Sequence, residues 1–335
     1  MSLNSRTVRK KTIVISLLAL VMMSLTLFPV SDVQSAGGKT KLILQWTPQS
    51  QFAGYYIAFE KGFYKNHGLD VEILRGGPDR DPVKSLAIGE AQFATTWLTT
   101  ALAERENGVP LVNLAQVVNQ SNQIIIARKD AGINQVQDLN GRKISVWEGG
   151  FRPIFTGFFK SHNLEPILLP QNYSVNLFLL KGVDACVAMY YNEYNMIYLS
   201  GVNEDELTTF FLRDYDFGFP EDGIYCLEKT LVENPELCKA FVEASLEGWL
   251  YAQKHPEESL DIIMNYVQEA HVPTNRPHMK WMLEKILSSV IPSADDSWKL
   301  GELSRENYLK TVSMAQKQGL IKAAPSYEEF CREVK

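Results

Sequence analysis

The sequence contains none of the short motifs that identify most hydrolases, nucleotide-binding enzymes and metalloproteases. It has no GxSxG segment, no phosphate-binding P-loop, no GxGxxG after a predicted strand and no HExxH. Only four cysteines occur and none forms a CxxC pair, so nothing supports a zinc or thioredoxin-type site. Most carboxylates fall on amphipathic helices, where a solvated face explains them better than acid–base catalysis. The sequence therefore gives no warrant for an enzyme.

Positive charge is also scarce. The 335 residues include 33 Lys and Arg against 39 Asp and Glu, which gives a formal net charge of −6. Nucleic-acid binding depends on neutralising phosphates with basic side chains, so a nucleic-acid partner is not expected. After residue 40 no apolar run is long enough to span a bilayer.

The N-terminus has the layout of a secretory signal peptide. Four basic residues occur among the first eleven, and the apolar run Ile13 to Phe28 follows and is broken by Pro29. Cleavage is predicted after Ser35 or Ala36, with an uncleaved anchor as the alternative. No cysteine lies near these positions, which excludes a lipoprotein. We therefore expect a signal peptide at 1–36 and a periplasmic or otherwise extracytoplasmic protein.

The rest of the chain alternates between strand and helix patterns, which predicts an α/β fold with parallel sheets covered by helices. The alternation restarts after residue 118, and the chain from Pro235 onward is predicted to be almost wholly helical. We expect two α/β lobes with a ligand cleft between them: lobe I from 39–118 plus 222–335, and lobe II from 119–221. The predicted strands are 41–46, 69–74, 91–95, 109–118, 123–128, 142–147, 185–189 and 224–227.

Ligands in open α/β sheets bind at the carboxyl ends of strands, so the loops that follow the strands are the candidate site. Aromatic rings there would stack on a flat ligand, and amides and carboxylates would orient it, a carboxylate favouring N–H donors. For Tyr191 and Tyr198 packing in the core is the preferred interpretation, whereas Trp46 and Tyr190 are assigned to the site. The aromatic candidates are Trp46, Tyr55, Tyr56, Trp97, Trp147 and Tyr190, and the polar candidates are Gln49, Gln51, Glu148, Asn192 and Glu193.

Two features favour an anionic ligand instead. The pair Gly76-Gly77 could form a backbone nest for an anion, and Arg152 near a helix start could bind a carboxylate or sulfonate. Glycine pairs are more often simple turns, and Arg152 could pair with Glu148. The aromatic site and the anion site are alternatives at this point.

Several segments carry a resemblance to a known family. Taken together they resemble the NMT1/THI5-like (SsuA/THI5-like) substrate-binding proteins, over most of the chain from Lys41 to about Ala270. The segments are LQWTPQSQFAGYY at 44–56, EKGFY at 60–64, HGLDVEI at 67–73, SLAIGEAQF at 85–93, VQDLNGRKIS at 136–145, GVDA at 182–185 and YYNE at 190–193.

The resemblance implies a type II periplasmic-binding-protein fold, in which two doubly wound α/β lobes enclose a ligand. It also implies partners, namely the permease and ATPase of an ABC importer, and a monomer that needs no cofactor. The opening segment is most similar to binders of thiamine-precursor pyrimidines such as hydroxymethyl- or formylaminopyrimidine. By motif, the implied ligand contacts are Trp46, Gln51, Tyr55 or Tyr56, Tyr190 and Glu193.

The same resemblance leaves other functions open. Family members also take alkanesulfonates, taurine, nitrate or riboflavin, and pyrimidine binders commonly have an Asn and a His where this chain has Gln49, Gln51 and Phe52. A related enzyme, the eukaryotic pyrimidine synthase, consumes its own histidine with pyridoxal phosphate and carries a cysteine-rich motif. This chain has no cysteine cluster and no histidine in the first loop, so a binding protein is expected rather than that synthase.

Overall fold

The computed structural model describes residues 38–294, 296, 298–332 and 334. The predicted signal peptide at 1–36 lies outside these residues. Within the part of the chain that is described, no helix combines the length and the apolar character needed to cross a membrane.

In the described part of the chain, ten strands form two five-stranded sheets with the same layout. The first sheet has the order β2-β1-β3-β10-β4 and the second has the order β7-β6-β8-β5-β9. The strands are β1 (Thr40–Ile43), β2 (Val71–Leu74), β3 (Phe93–Trp97), β4 (Leu111–Gln116), β5 (Gln123–Arg128), β6 (Lys143–Trp147), β7 (Ile167–Gln171), β8 (Ala185–Met189), β9 (Leu207–Phe211) and β10 (Asp222–Leu227).

The helices cover the faces of the sheets, and the longest of them lie after residue 234. Their bounds are α1 (Ala53–Glu60), α2 (Phe63–Asn66), α3 (Pro82–Ala87), α4 (Leu98–Glu106), α5 (Arg152–Ser161), α6 (Asn176–Leu179), α7 (Glu193–Leu199), α8 (Glu228–Glu233), α9 (Pro235–Lys254), α10 (Pro256–Glu269), α11 (Arg276–Val290), α12 (Arg305–Lys317) and α13 (Tyr327–Phe330). Short 3₁₀ turns precede α1 at Ser50–Phe52 and α5 at Gly149–Phe151.

Each sheet is mixed, which corrects the prediction of purely parallel sheets. The strand β10 runs antiparallel to both β3 and β4, and β5 runs antiparallel to both β8 and β9. The chain passes from the first sheet to the second at 117–122 and returns at 212–221. Strands β5 and β10 therefore each come directly from the other sheet, and this explains their antiparallel direction. The sequence analysis also missed β9, which pairs with β5 at the edge of the second sheet.

The sheets are buried on both faces, which is why their strands read as continuous apolar runs. In β5, Ile125 and Ala127 pack with α5, whereas Ile124 and Ile126 pack on the opposite face with Phe178 of α6. This period of two is the normal alternation of side chains along a strand. Two sheets covered by helices confirm the predicted α/β architecture, while the lobe boundaries at 118/119 and 221/222 stay predictions.

The two passages between the sheets lie side by side and are hydrogen-bonded to each other. The Glu221 backbone N–H donates to the Val118 carbonyl oxygen at 2.8 Å, and the Val117 N–H donates to the Asp222 carbonyl oxygen at 3.0 Å. The Glu221 carboxylate adds a side-chain bond, since it accepts from the Asn122 N–H at 2.6 Å. These crossing segments bring the loops of both sheets to a common space.

Candidate functional site

A cavity of about 540 Å³ lies among the loops that follow β1, β2, β3, β6, β7 and β8. These loops follow the carboxyl ends of strands from both sheets, which is where α/β proteins bind small molecules. Eight of the predicted site residues line it: Trp46, Gln49, Gln51, Trp97, Trp147, Glu148, Asn192 and Glu193. The structure therefore brings together most of the candidate residues from loops that are far apart in sequence.

Two predicted aromatic residues on helix α1 lie in the core instead. The Tyr55 ring is almost completely buried and packs edge-on against Trp249, with ring centroids 5.9 Å apart. The Tyr56 ring stacks on Tyr266 at 4.1 Å. Because helix α1 is packed under α9 and α10, both rings point into that packing, and neither lines the cavity.

Two predicted residues on the second-sheet side also lie outside the cavity lining. The Tyr190 ring packs edge-on against Phe211 and Trp281, at centroid distances of 4.9 and 5.5 Å. The Arg152 guanidinium is paired with Glu148, the pairing that the sequence offered as an alternative. We therefore leave both residues out of the site that we propose.

Tyr191 takes the place that the sequence analysis gave to Tyr190. Met189 and Tyr191 both line the cavity, while Tyr190 between them faces the other way. The alternation of strand β8 continues for two residues past its end at Met189. The assignment of Tyr191 to the core is corrected in one respect: its side chain is buried, but it forms part of the cavity wall.

The Glu193 carboxyl forms one polar wall of the cavity. Its Oε2 accepts from the Met189 N–H at 2.8 Å, and its Oε1 accepts from the Asn192 Nδ2 at 2.9 Å. Burial raises the pKa of Glu193 to about 7, an effect that these hydrogen bonds only partly offset. A carboxyl held in this way accepts hydrogen bonds from a ligand when it is ionised.

Amide side chains, one of them hydrogen-bonded to the buried Asp222, form another part of the cavity wall. Gln49 Nε2 donates to Gln51 Oε1 at 2.6 Å, and Gln51 Nε2 donates to Asp222 Oδ2 at 2.7 Å. Burial raises the pKa of Asp222 to about 6, while hydrogen bonds with Gln45 and Gln51 lower it. The Oε1 of Gln45, which lines the cavity, and the Oδ1 of Asp222 are buried without a hydrogen-bond partner in the described structure. This wall also presents acceptors.

Three buried carboxyls surround Tyr191. Burial raises the pKa of the Tyr191 hydroxyl, and Glu221, Asp222 and Glu193 raise it further. Burial likewise raises the pKa of Glu221, to about 8. When these carboxyls are ionised, they give the cavity a negative electrostatic potential. At lower pH they bind protons and this potential is lost.

Aromatic rings from the two sheets meet around the cavity. The Trp46 and Tyr173 rings lie 4.9 Å apart with their planes at 54°, and Trp97 meets Phe151 edge-on at 4.8 Å. Trp46 follows a strand of the first sheet and Trp97 ends another, while Phe151 and Tyr173 follow strands of the second sheet. A flat ligand in this cavity would lie among rings contributed by both sheets.

The glycine pair and the basic side chain that would favour an anionic ligand have structural roles instead. A Cβ on Gly76 would lie 2.0 Å from the Leu44 carbonyl oxygen, so this glycine is required by a tight turn against β1. Arg80 lines the cavity but is paired with Glu90. Among the described residues, no cluster of three or more His, Cys, Asp or Glu side chains is arranged to hold a metal ion.

Comparison with known proteins adds three relatives and one solved structure. The family model described as NMT1/THI5 like matches residues 49–259. A formylaminopyrimidine-binding protein of Halalkalibacterium halodurans is 25% identical over 70% of this chain and 72% of its own length. The riboflavin-binding protein RibY of Chloroflexus aurantiacus is 25% identical over 74% of this chain and 72% of its own length.

An enzyme and a transport protein are also similar. A 4-amino-5-hydroxymethyl-2-methylpyrimidine phosphate synthase of Legionella pneumophila is 20% identical over 83% of this chain and 89% of its own length. The periplasmic aliphatic sulphonate binding protein SsuA of Escherichia coli superposes with a TM-score of 0.69 at 12% identity, covering 89% of this chain and 92% of that one. At this identity the likeness shows the fold alone, and that fold is the periplasmic-binding-protein fold that the sequence predicts.

Proposed function

The chain belongs to the NMT1/THI5-like family, as its sequence predicts, and from this premise we propose that it binds a small planar nitrogen heterocycle for import. The ligand class that fits best is a thiamine-precursor aminopyrimidine, such as hydroxymethyl- or formylaminopyrimidine. The protein would deliver it to the permease and ATPase of an ABC importer.

The observation that carries this proposal is the buried Glu193 carboxyl in the cavity wall, together with the unpartnered side-chain oxygen of Gln45 in the same lining. The oxygens of Glu193 and Gln45 can accept N–H groups from a ligand, and the exocyclic amino group of an aminopyrimidine offers such donors in the plane of its ring. The charged side chains that line the cavity are Asp81 and Glu193, together with Glu148 and Arg80, which are paired with Arg152 and Glu90 respectively. An anionic sulfonate or nitrate would therefore meet more negative charge than positive charge.

Riboflavin is the second candidate, and the size of the cavity favours it. A volume of about 540 Å³ lies inside the range of roughly 300–1,000 Å³ that is usual for drug-sized ligands. A single substituted pyrimidine would leave part of this space to water. A relative that is named as a riboflavin-binding protein adds support.

We propose a binding role rather than catalysis. The synthase of this family consumes a histidine of its own chain, and the residues that line the described cavity include no histidine, lysine or cysteine. The relatives named as binding proteins support this view, and the relative named as a synthase makes product formation the activity to assay. We further propose that the protein acts outside the cytoplasmic membrane, as a monomer.

A thermal unfolding series tests the ligand class. We expect the protein from residue 37 to 335 to unfold about 5 °C higher with a hundredfold excess of an aminopyrimidine over its Kd, because a ligand that binds only the folded state stabilises it by about 2.7 kcal/mol. Riboflavin, taurine, an alkanesulfonate and nitrate complete the panel.

Each other outcome has a defined meaning. A shift with riboflavin alone would favour the second candidate. A shift only with a sulfonate or nitrate would keep the binding role and overturn the ligand class. Formation of a pyrimidine product on incubation with pyridoxal phosphate would contradict the absence of catalysis.

A further inference from the structure

We propose that His278, on helix α11, is a positioning residue that orients Glu193 for the ligand by way of the Asn192 amide. The proposal rests on the proposed function for the role of Glu193, but its geometry stands on its own. The His278 Nε2 lies 3.0 Å from Asn192 Oδ1, and the Asn192 Nδ2 lies 2.9 Å from Glu193 Oε1. The His278 Nδ1 lies 2.9 Å from Asn195 Nδ2.

The donors and acceptors in this chain of contacts have one consistent arrangement. An ionised Glu193 can only accept, so the Asn192 amide turns its Nδ2 toward the carboxylate and its Oδ1 toward the imidazole. The His278 Nε2 must then carry the proton, and its Nδ1 accepts from Asn195. If the Asn192 amide were reversed, its oxygen would face the carboxylate and its NH₂ group would face the protonated Nε2 of His278. The imidazole proton therefore favours the orientation in which Asn192 Nδ2 donates to Glu193.

The surroundings keep His278 in the required form. The side chain is buried, and burial lowers its pKa, which favours the neutral imidazole. The ionisable groups that face Glu193 are Tyr191 and Cys186, and burial raises the pKa of both. They stay protonated while Glu193 titrates, which leaves the Asn192 hydrogen bond as the adjustable influence on that carboxyl.

Helix α11 packs on the core of the first sheet and also contacts loops of the second sheet. Its apolar residues, including Met279 and Ile286, belong to the core that covers the first sheet. The same helix reaches loops of the second sheet through His278 and through Trp281, whose Nε1 donates to the Tyr190 carbonyl oxygen at 3.1 Å. Helix α11 therefore supports Glu193 through the contact between His278 and Asn192, whereas the Trp281 hydrogen bond attaches the same helix to the loop that follows β8.

The test is a titration of Glu193 in the ligand-free protein. Its carboxyl carbon can be followed by ¹³C NMR after labelling of glutamate side chains, and the Glu193→Gln spectrum assigns the resonance. We expect His278→Ala to raise the midpoint by about one pH unit, because Asn192 no longer holds its donor on the carboxylate. Asn192→Ala should give the same shift, and the double variant should add nothing further.

A matched control separates positioning from docking of the helix. Trp281→Phe removes the contact with Tyr190 from the same helix without touching Asn192, so it should leave the Glu193 midpoint unchanged. His278→Gln keeps a side-chain N–H donor and should return the midpoint toward the wild-type value. If His278→Ala fails to fold, Asn192→Ala and Asn195→Ala provide the same comparison, with a smaller shift expected from Asn195→Ala.

Two results would overturn the proposal: an unchanged midpoint in the His278→Ala or Asn192→Ala protein, or an equal shift in Trp281→Phe. Since the titration needs no ligand, these results are independent of the ligand panel. If no heterocycle in the panel binds, the proposed function is wrong, but the proposed role of His278 and Asn192 in orienting Glu193 is not affected.

Discussion

Glu193→Gln is expected to remove much of the fall in stability that the ligand-free protein shows as pH rises from about 4.5 to 7. Burial raises the pKa of Glu193 from 4.5 to about 7, so the folded protein keeps a proton that the unfolded chain has already lost. The stabilisation is fully present below pH 4.5 and is lost as pH rises through 7. The difference between the two pKa values corresponds to about 3 kcal/mol. The free energy of unfolding, measured by urea denaturation from pH 4 to 8, checks this.

The measurement at pH 4 is an internal control for the comparison of wild type with Glu193→Gln. At pH 4 the carboxyl is mostly protonated in both states of the wild-type protein, so the two proteins should there differ only by the cost of the substitution itself. Asp222 and Glu221 also have raised pKa values, for the same reason, so the variant should keep part of the decline. Parallel profiles for wild type and variant over the whole range would show that Glu193 is ionised in the ligand-free protein, contrary to this account.

Gly248→Ala is expected to lower the free energy of unfolding by about 3 kcal/mol, a large effect for one methyl group. Gly248 lies where helix α9 crosses helix α1, and a Cβ there would lie 2.0 Å from the Gly54 carbonyl oxygen and 3.0 Å from the Ala58 nitrogen. Both of these are backbone atoms, so relief requires the whole of helix α1 to move. The gain of about 1 kcal/mol in helix propensity on replacing Gly by Ala is too small to compensate. Thermal and urea unfolding measure the change.

Gly157→Ala is the matched control, because Gly157 also lies inside a helix and also has a close neighbour. Its Cβ would meet the Cγ and Cδ of Gln318, which belong to a flexible and partly exposed side chain that can swing away. The free energy of unfolding should therefore change by less than about 1 kcal/mol. Equal stability losses in the two variants would mean that the crossing of α9 on α1 is not the rigid contact described above.

The fold could be predicted well from the sequence because local signals agree with it. Helices α9, α10 and α11 occur in the part of the chain from Pro235 onward that is predicted to be helical, and each has a proline in its first turn. The direction of β5 and β10 could not be predicted in the same way. It depends on where the chain passes from one sheet to the other, and a buried strand has the same apolar composition whichever way it runs.

The cavity was predicted only in part, for a related reason. Helix α1 is buried around most of its circumference, so its sequence has no polar face to show that Tyr55 and Tyr56 point into the core. The sequence before β10 reads as a turn, and only the return of the chain to the first sheet brings Asp222 beside Gln51. The sequence does contain a signal that Tyr191, rather than Tyr190, lines the cavity, because strand alternation from Met189 places Tyr191 on the same side of the strand.

The central claim is that Glu193 accepts a hydrogen bond from an amino group of the ligand, and a calorimetric cycle tests it most directly. Wild-type protein and Glu193→Gln would each be titrated at pH 8 with an aminopyrimidine and with the same ring lacking the amino group. The account predicts a coupling free energy of about 1–3 kcal/mol, or roughly 5- to 150-fold in affinity, between the carboxylate and the amino group. Binding that is equally tight in all four combinations, with no coupling, would contradict it.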